Sequence, residues 1–221
     1  MTDAAERVQE FDVRGAIARV QSVATSCEAA GLAAWYLSGL AAAREAYRDG
    51  GSAESLAPVK KAIAALEAYG ADRPGQAQIA RLVLLGATAA AQSERDEMAV
   101  FLDEARRLEA LQIAANQPGA PLISAHEASG DLWLQVHRFD DARRAYLDGS
   151  ELLGSTPRIL IGLARTAVRL NDPSGCAEYR RLIQWWASPG GLARAESSGE
   201  PAEIAEARGY LAGSACQPRQ R

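Results

Sequence analysis

The chain has 221 residues, of which 48% are hydrophobic and 24% are charged. This balance is typical of a folded globular protein and excludes a disordered one. The formal net charge of -4 gives no overall basic field, so neither nucleic acid nor an anionic membrane surface is favoured as a partner. Because the apolar residues are largely Ala and Leu, which favour helices over strands, the composition predicts an all-α protein.

The first half of the chain is predicted to form helices separated by clusters of Gly, Pro and Ser. No run alternates with period two for long enough to predict a strand. The expected helices span residues 5–29, 32–48, 55–69, 76–92 and 94–115. The fourth is apolar on almost every side, which is typical of a helix buried between neighbours. Ser93 is expected to cap the fifth.

The second half is predicted to contain two helix pairs and a final short helix. The pairs comprise residues 122–136 with 139–153, and residues 157–170 with 173–187. Each join is only a few residues long, so the two helices of a pair must run antiparallel and in contact. The final helix, 202–212, is expected to dock on the end of the array before a frayed tail.

Two short elements with the spacing of a known repeat occur in the pair formed by residues 122–153. Gly130 is followed three positions later by Trp133, and Ala142 four positions later by Tyr146. The small residues let the two helices approach closely, while the aromatic rings fill the remaining space. This stretch resembles a tetratricopeptide repeat (TPR), a helix pair of about 34 residues with L-G-x2-Y in its first helix and A-x3-F in its second. Ser129 replaces the Leu, and Trp133 the Tyr.

The resemblance implies a TPR-like right-handed α-solenoid of about ten helices, in which antiparallel helix pairs stack. Residues 1–191 would form the repeat domain, with the clearest repeat at 122–156 and the next at 157–188. Residues 192–221 would form a polar linker, a short capping helix and the tail. Weaker matches place Ala164, Gly86 and Gly39 in the Gly130 position, and the glycines are farther apart than the family's period.

The resemblance also implies a binding groove, because repeat arrays line a concave surface with the first helix of each pair. The groove positions would be Ser124, Glu127, Asp131 and Leu134 in the clearest repeat, and Arg158, Ile161, Arg165 and Arg169 in the next. The arginines could receive a carboxylate or phosphate through paired hydrogen bonds. The alternative is that Glu127 and Asp131 neutralise the arginines of the adjacent helix. Since the variant of the family that clamps a C-terminal carboxylate needs Lys, Arg and Asn at such positions, the two carboxylates disfavour that role.

Trp185 and Trp186 form a second candidate partner surface, at the end of the predicted repeat region. Adjacent helical residues point about 100° apart. One ring is therefore expected in the core and the other available to a partner or to the final helix, with a purely structural role for both as the alternative.

Catalysis and metal binding find little support. No familiar catalytic motif is present, and Glu127 with Asp131 is a commonplace pair one helical turn apart. His126 and His137 would lie about 16 Å apart on one helix, too far to share a metal, and both are expected at the surface or in a turn. Because Cys27, Cys176 and Cys216 are odd in number and lack a CxxC spacing, reduced thiols are expected. No cofactor is expected.

These observations predict a non-catalytic protein–protein interaction scaffold or adaptor, such as a subunit of a larger assembly, whose partner is a protein or peptide. The alternative is a helical sensor or regulatory domain that binds a small anionic ligand or peptide at Arg158, Arg165 and Arg169. No stretch reaches the roughly 18 apolar residues of a membrane span, and the acidic N-terminal stretch does not resemble a signal peptide. Unless a leader has been removed, the expected compartment is the cytoplasm.

Overall fold

The computed structural model describes residue 18 and residues 28–70, 74–120, 122–188 and 200–216. Within these residues the protein is all-helical and contains no strand. The helices are α1 (Glu28–Arg48), α2 (Ala57–Gly70), α3 (Pro74–Ala91), α4 (Arg95–Ala114), α5 (Ala125–Gln135), α6 (Phe139–Leu153), α7 (Pro157–Arg169), α8 (Ser174–Trp186) and α9 (Ala202–Ala212). A short 3-10 helix, Ser214–Cys216, follows α9. The predicted helix over 5–29 lies almost entirely outside the described residues.

The helices pack as consecutive pairs, α1 with α2, α3 with α4, α5 with α6, and α7 with α8. The first helices also contact one another in series, since α1 touches α3, α3 touches α5, and α5 touches α7. The second helix of each pair contacts the first helix of the next, and α9 packs on α8. Each interior first helix therefore has neighbours on several sides, which explains why the sequence of α3 is apolar almost all round.

The first helix of each pair ends in the same kind of turn. A residue with left-handed backbone stands at Gly50 (φ 75°), Ser93 (66°), His137 (62°) and Asn171 (55°). The next residue donates its N–H to the carbonyl five positions earlier, over 2.8–2.9 Å in all four turns, which is the hydrogen bond of a Schellman stop. The predicted capping role of Ser93 is therefore wrong. Ser93 reverses the chain after α3, and the residue at the cap of α4 is Glu94, whose side chain makes no capping hydrogen bond.

These turns allow the four helix pairs to be aligned with one another. Positions 50, 93, 137 and 171 are 43, 44 and 34 residues apart, so the last interval equals the period of about 34 that the family shows. A small buried residue stands seven positions before each turn, at Ala43, Gly86, Gly130 and Ala164. In this register Ala43, and not Gly39, is the counterpart of Gly130. Gly39 instead faces Leu84 of α3 and Ala62 of α2.

The C-terminal end has its own hydrophobic cluster, built from α7, α8 and α9. Its buried members include Ile161, Leu182, Trp186, Ile204 and Ala207. The predicted helix over residues 202–212 coincides with α9.

A disulfide joins Cys176, in the first turn of α8, to Cys216 after α9, with their Cα atoms 5.7 Å apart. The prediction of reduced thiols is therefore wrong for these two cysteines. They are 40 positions apart, and only the return of α9 along α8 brings them together, so neither their number nor their spacing could indicate the bond. Cys27 lies outside the described residues.

Candidate binding grooves

A buried polar connection joins α5, α6 and α7. Tyr146 of α6 is fully buried and its ring lies between Gly130 of α5 and Gly162 of α7, where a Cβ on either glycine would overlap the ring. Its hydroxyl donates to Asp131 over 2.6 Å, and the other Asp131 oxygen accepts from Arg158 over 2.7 Å. Burial raises the pKa of Tyr146, and the Asp131 charge raises it further. The Asp131–Arg158 pair is the internal neutralisation that the sequence offered as an alternative to a vacant arginine.

Glu127 holds helix ends together and does not face a groove. Its side chain is buried and accepts from the Ser124 backbone N–H over 3.1 Å, while the Ser124 hydroxyl accepts from the Glu127 N–H over 3.0 Å. This is a capping box at the start of α5. Thr156, which caps α7, donates its hydroxyl to Glu127 over 2.6 Å. Burial raises the pKa of Glu127, and this outweighs the lowering effects of Arg158 and of the hydrogen bonds.

A second buried carboxylate was missed by sequence reasoning. Glu109 of α4 accepts from the backbone N–H groups of Ala120 and Ala125 and from His126 Nδ1, each over 2.9 Å. The prediction of a surface or turn position is therefore wrong for His126, which is buried, although His137 does lie in a turn and is exposed. A signal for Glu109 was present. The buried stripe of α4 runs through Met98, Leu102 and Ala105 and reaches Glu109 at the same helical spacing.

One groove crosses the faces of the first helices and is called here the first-helix groove. It has a volume of about 250 Å³ and is lined by Leu40, Arg44, Arg48, Ala87, Asp131 and Arg158, among others. Its lining therefore comes from α1, α3, α5 and α7. Arg44 is exposed, and its side chain makes no hydrogen bond or ion pair within the described part of the chain. Arg48 donates to the exposed Glu45 over 2.6 Å.

A second concavity, the α7–α9 pocket, lies nearer the C-terminus. It has a volume of about 530 Å³ and is lined by Leu134, His137, Arg165, Arg169, Tyr179 and Glu206, with Val168.

Three donors converge on Glu206 in that pocket. Arg165 donates through Nε to Oε1 over 3.1 Å and through Nη2 to Oε2 over 2.7 Å, and the Tyr179 hydroxyl donates to Oε1 over 2.7 Å. Burial alone would raise the pKa of Glu206, but the hydrogen bonds from Arg165 and Tyr179 lower it overall. The same carboxylate raises the pKa of Tyr179 beyond the effect of its burial.

The structure divides the predicted arginine group between the two concavities. Arg158 belongs to the first-helix groove, whereas Arg165 and Arg169 line the α7–α9 pocket. Arg158 and Arg165 already bind carboxylates of this chain. Arg169 is exposed, and no ion pair of its guanidinium occurs among the described residues.

The two adjacent tryptophans lie beside the terminal cluster. Trp186 is buried within the cluster, and Trp185 is partly buried against it. Their ring centroids are 6.5 Å apart. Both rings therefore lie in or against the hydrophobic cluster that α7, α8 and α9 form.

Among the residues described, no group of three or more His, Cys, Asp or Glu side chains is placed to hold a metal ion. None of the described helices is both long and apolar enough to cross a membrane. Comparison of the chain with protein-family models, curated proteins and solved structures finds no significant match.

Proposed function

We propose that the protein is a non-catalytic interaction scaffold, built as a TPR-like stack of helix pairs, that binds an extended acidic peptide in the first-helix groove. The observation that carries this proposal is the serial contact of α1, α3, α5 and α7. First helices that touch in series form one continuous surface, which is how repeat arrays create their binding faces. The shared turn that ends the first helix of all four pairs supports the same architecture.

The acidic character of the partner follows from the charges in the groove. The groove is lined by three arginines, Arg44, Arg48 and Arg158, but by only two carboxylates, those of Glu45 and Asp131. Its lining is therefore net positive, although the whole chain is net negative. Arg158 is committed to Asp131 and is mostly buried. Arg44 and Arg48 are exposed and one helical turn apart, so they can receive carboxylates of a peptide that lies across α1.

Small side chains in the lining of the first-helix groove leave space for the backbone of the bound peptide. The groove is lined by Ala41, Ala43, Ala87 and Ala128 as well as by its charged residues. A ligand held this way needs a shallow apolar floor and a few placed charges, which is the usual composition of a binding cleft.

The test is selection of ligands from a displayed library of random peptides, followed by affinity measurement with the wild type, Arg44→Glu and Lys60→Glu. Lys60 is exposed on α2 and is not among the residues that line the groove, so it is a matched charge reversal. We expect acidic peptides to be enriched and to bind Arg44→Glu about tenfold or more weakly, with Lys60→Glu unchanged. Selection of no ligand, or equal weakening by both variants, would contradict the proposal.

The alternative of a small-anion sensor at Arg158, Arg165 and Arg169 has less support. Two of these arginines already hold carboxylates, and the three do not share one concavity. A ligand would have to displace Asp131 or Glu206 to reach Arg158 or Arg165.

The proposed compartment rests on a different observation. The sequence predicts the cytoplasm, but disulfides form and persist mainly in oxidising compartments. The Cys176–Cys216 bond therefore favours an oxidising compartment. Trapping the thiols of the native protein with an alkylating reagent directly on cell lysis tests this, because a protein that resides in the cytoplasm would be recovered with both cysteines alkylated.

A further inference from the structure

The helix α9 is bound to the rest of the fold much as a ligand would be. It buries Ile204 and Ala207 on the apolar face of α7 and α8 and places Glu206 beside Arg165 and Tyr179. Arg165 and Tyr179 belong to α7 and α8, so the carboxylate receptor is complete without any side chain of α9. Paired N–H donors with a hydroxyl suit a carboxylate because they match its two oxygens.

We propose that the face of α7 and α8 covered by α9 is a docking surface for an acidic helix, and that α9 is its intramolecular occupant, held in place by the Cys176–Cys216 disulfide. This surface is separate from the first-helix groove, so the proposal does not depend on peptide binding there. The partner that fits is a helix with small or branched apolar residues three positions apart and a Glu between them, as at Ile204, Glu206 and Ala207.

The helix α9 has little intrinsic stability of its own. It has 11 residues, a length at which an isolated helix is marginal in water. Its N-cap is Pro201, which makes no side-chain capping bond. Gly209 lies in its interior, and no atom of the described residues is within 4 Å of the position that a Cβ would take there. An interior glycine weakens a helix. Its place on the fold therefore depends on docking and on the disulfide.

The disulfide controls how readily α9 can be exchanged. Cys216 follows α9 and is only half-buried, whereas its partner Cys176 lies in the first turn of α8 and is buried. The bond therefore holds the end of α9 against α8, the helix on which it docks. This tether gives α9 a high effective concentration at its docking surface.

Reduction by a dithiol would end this constraint. A thiolate of the dithiol attacks one sulfur of the pair, and the second thiol of the reagent then completes the exchange. The S–S bond breaks, Cys176 and Cys216 each gain one electron and one proton, and the dithiol becomes a disulfide. A partner helix can then compete with α9 for Arg165, Tyr179 and the apolar face.

The test uses a fluorescent peptide of residues 200–216 with Ser in place of Cys216, which is α9 supplied in trans. Its binding is measured by fluorescence anisotropy against the oxidised full-length protein, the dithiothreitol-reduced protein and the Cys216→Ser variant. The matched control is Cys27→Ser, which keeps the disulfide. A second peptide carries Glu206→Gln.

We expect the peptide to bind the reduced protein and Cys216→Ser at least about tenfold more tightly than the oxidised protein and Cys27→Ser. The Glu206→Gln peptide should bind about tenfold more weakly than its parent. Equal binding to oxidised and reduced protein, no binding to either, or no loss with Glu206→Gln would each overturn the proposal.

Circular dichroism of the reduced protein is part of the same test. The proposal requires α1 to α8 to persist after reduction, so a loss of most of the helical signal would also overturn it. If Cys216→Ser fails to fold, the reduced wild type still provides the comparison. Arg44→Glu should leave binding of this peptide unchanged, which separates the result from the outcome at the first-helix groove.

Discussion

Tyr146 donates its hydroxyl hydrogen to Asp131 over 2.6 Å at the point where three helices meet. The ring can reach this position because Gly130 and Gly162 present no side chain to it from either side. The aromatic residue that first suggested a repeat therefore also carries a polar contact, which ties the clearest helix pair to the next one through Asp131 and Arg158.

The close approach at Gly162 leads to a prediction about stability. Gly162→Ala would place a methyl group within the Tyr146 ring, and overpacking of this kind costs about 1–3 kcal/mol. Gly209→Ala is the matched control, since no part of the chain that the structure describes lies near that position and the substitution should stabilise α9 by about 0.5–1 kcal/mol. Urea unfolding followed by circular dichroism measures both. Destabilisation of equal size at both positions would show that packing on Tyr146 is not the cause.

Two buried tyrosines should respond oppositely to loss of the hydroxyl. Tyr146→Phe removes a hydrogen bond to a charged group and should lower the free energy of unfolding by about 1.5–3 kcal/mol. The Tyr36 hydroxyl is buried and has no hydrogen-bond partner among the described residues, so Tyr36→Phe should be neutral or stabilise the protein by about 1 kcal/mol. The same unfolding measurement distinguishes them, and a larger loss for Tyr36→Phe would contradict this account.

Glu109 should be more important for stability than its position on a charged helix implies. The two carboxylate oxygens of Glu109 accept from the backbone N–H groups of Ala120 and Ala125. In Glu109→Gln one oxygen is replaced by an amide NH2 group, which cannot accept from the N–H group that it faces. A buried donor left without an acceptor costs about 1–3 kcal/mol. The control is Glu104→Gln, a residue of the same helix whose side chain is 43% exposed, which should change stability by less than about 0.5 kcal/mol. Equal effects in thermal unfolding would contradict the role assigned to Glu109.

The contribution of Glu206 should depend on pH. Its pKa in the folded protein is lowered from an ordinary value of 4.5, so folding favours the charged form. This contribution is fully present above the unfolded pKa and is lost as the pH falls through the lower folded value. The stability difference between wild type and Glu206→Gln should therefore shrink as the pH is lowered below about 4.5.

The measurement is urea unfolding of both proteins at a series of pH values from neutrality downward, with Glu54→Gln as the control at an exposed position. A difference that stays constant, or that grows as the pH falls, would show that the Arg165–Glu206 pair does not stabilise the folded state through its charge.

Much of the secondary structure could be predicted because its causes are local. Helices 139–153 and 202–212 coincide with α6 and α9, since apolar spacing and the residues at the helix ends act within a few positions of the chain. The role of Ser93 could not be assigned in this way. Whether a Ser starts one helix or ends the preceding one depends on the backbone angle that the packed pair imposes, and here that angle is left-handed.

The binding residues were less predictable, because side-chain partners come from distant parts of the chain. The pairing of Asp131 with an arginine of the next helix was one of the two alternatives that the sequence left open, and the structure shows it at Arg158. Glu206 was not expected to neutralise Arg165, because this pair spans 41 positions and forms only when α9 packs back against α8. Glu127 was expected to line a groove on spacing alone, and neighbouring helices bury it. One of the two tryptophans was expected in the core, but spacing could not say that it is Trp186.

The sequence by itself determined that this chain is helical, where most of its helices begin and end, and which residues carry a resemblance to a tetratricopeptide repeat. Propensity, capping and hydrophobic period are properties of short segments, so they can be read without a fold. Only the tertiary structure decided which carboxylate meets which arginine, that His126 is buried against Glu109, and that Cys176 and Cys216 form a disulfide. These contacts depend on how the helices pack in three dimensions, and distance along the chain does not encode that packing.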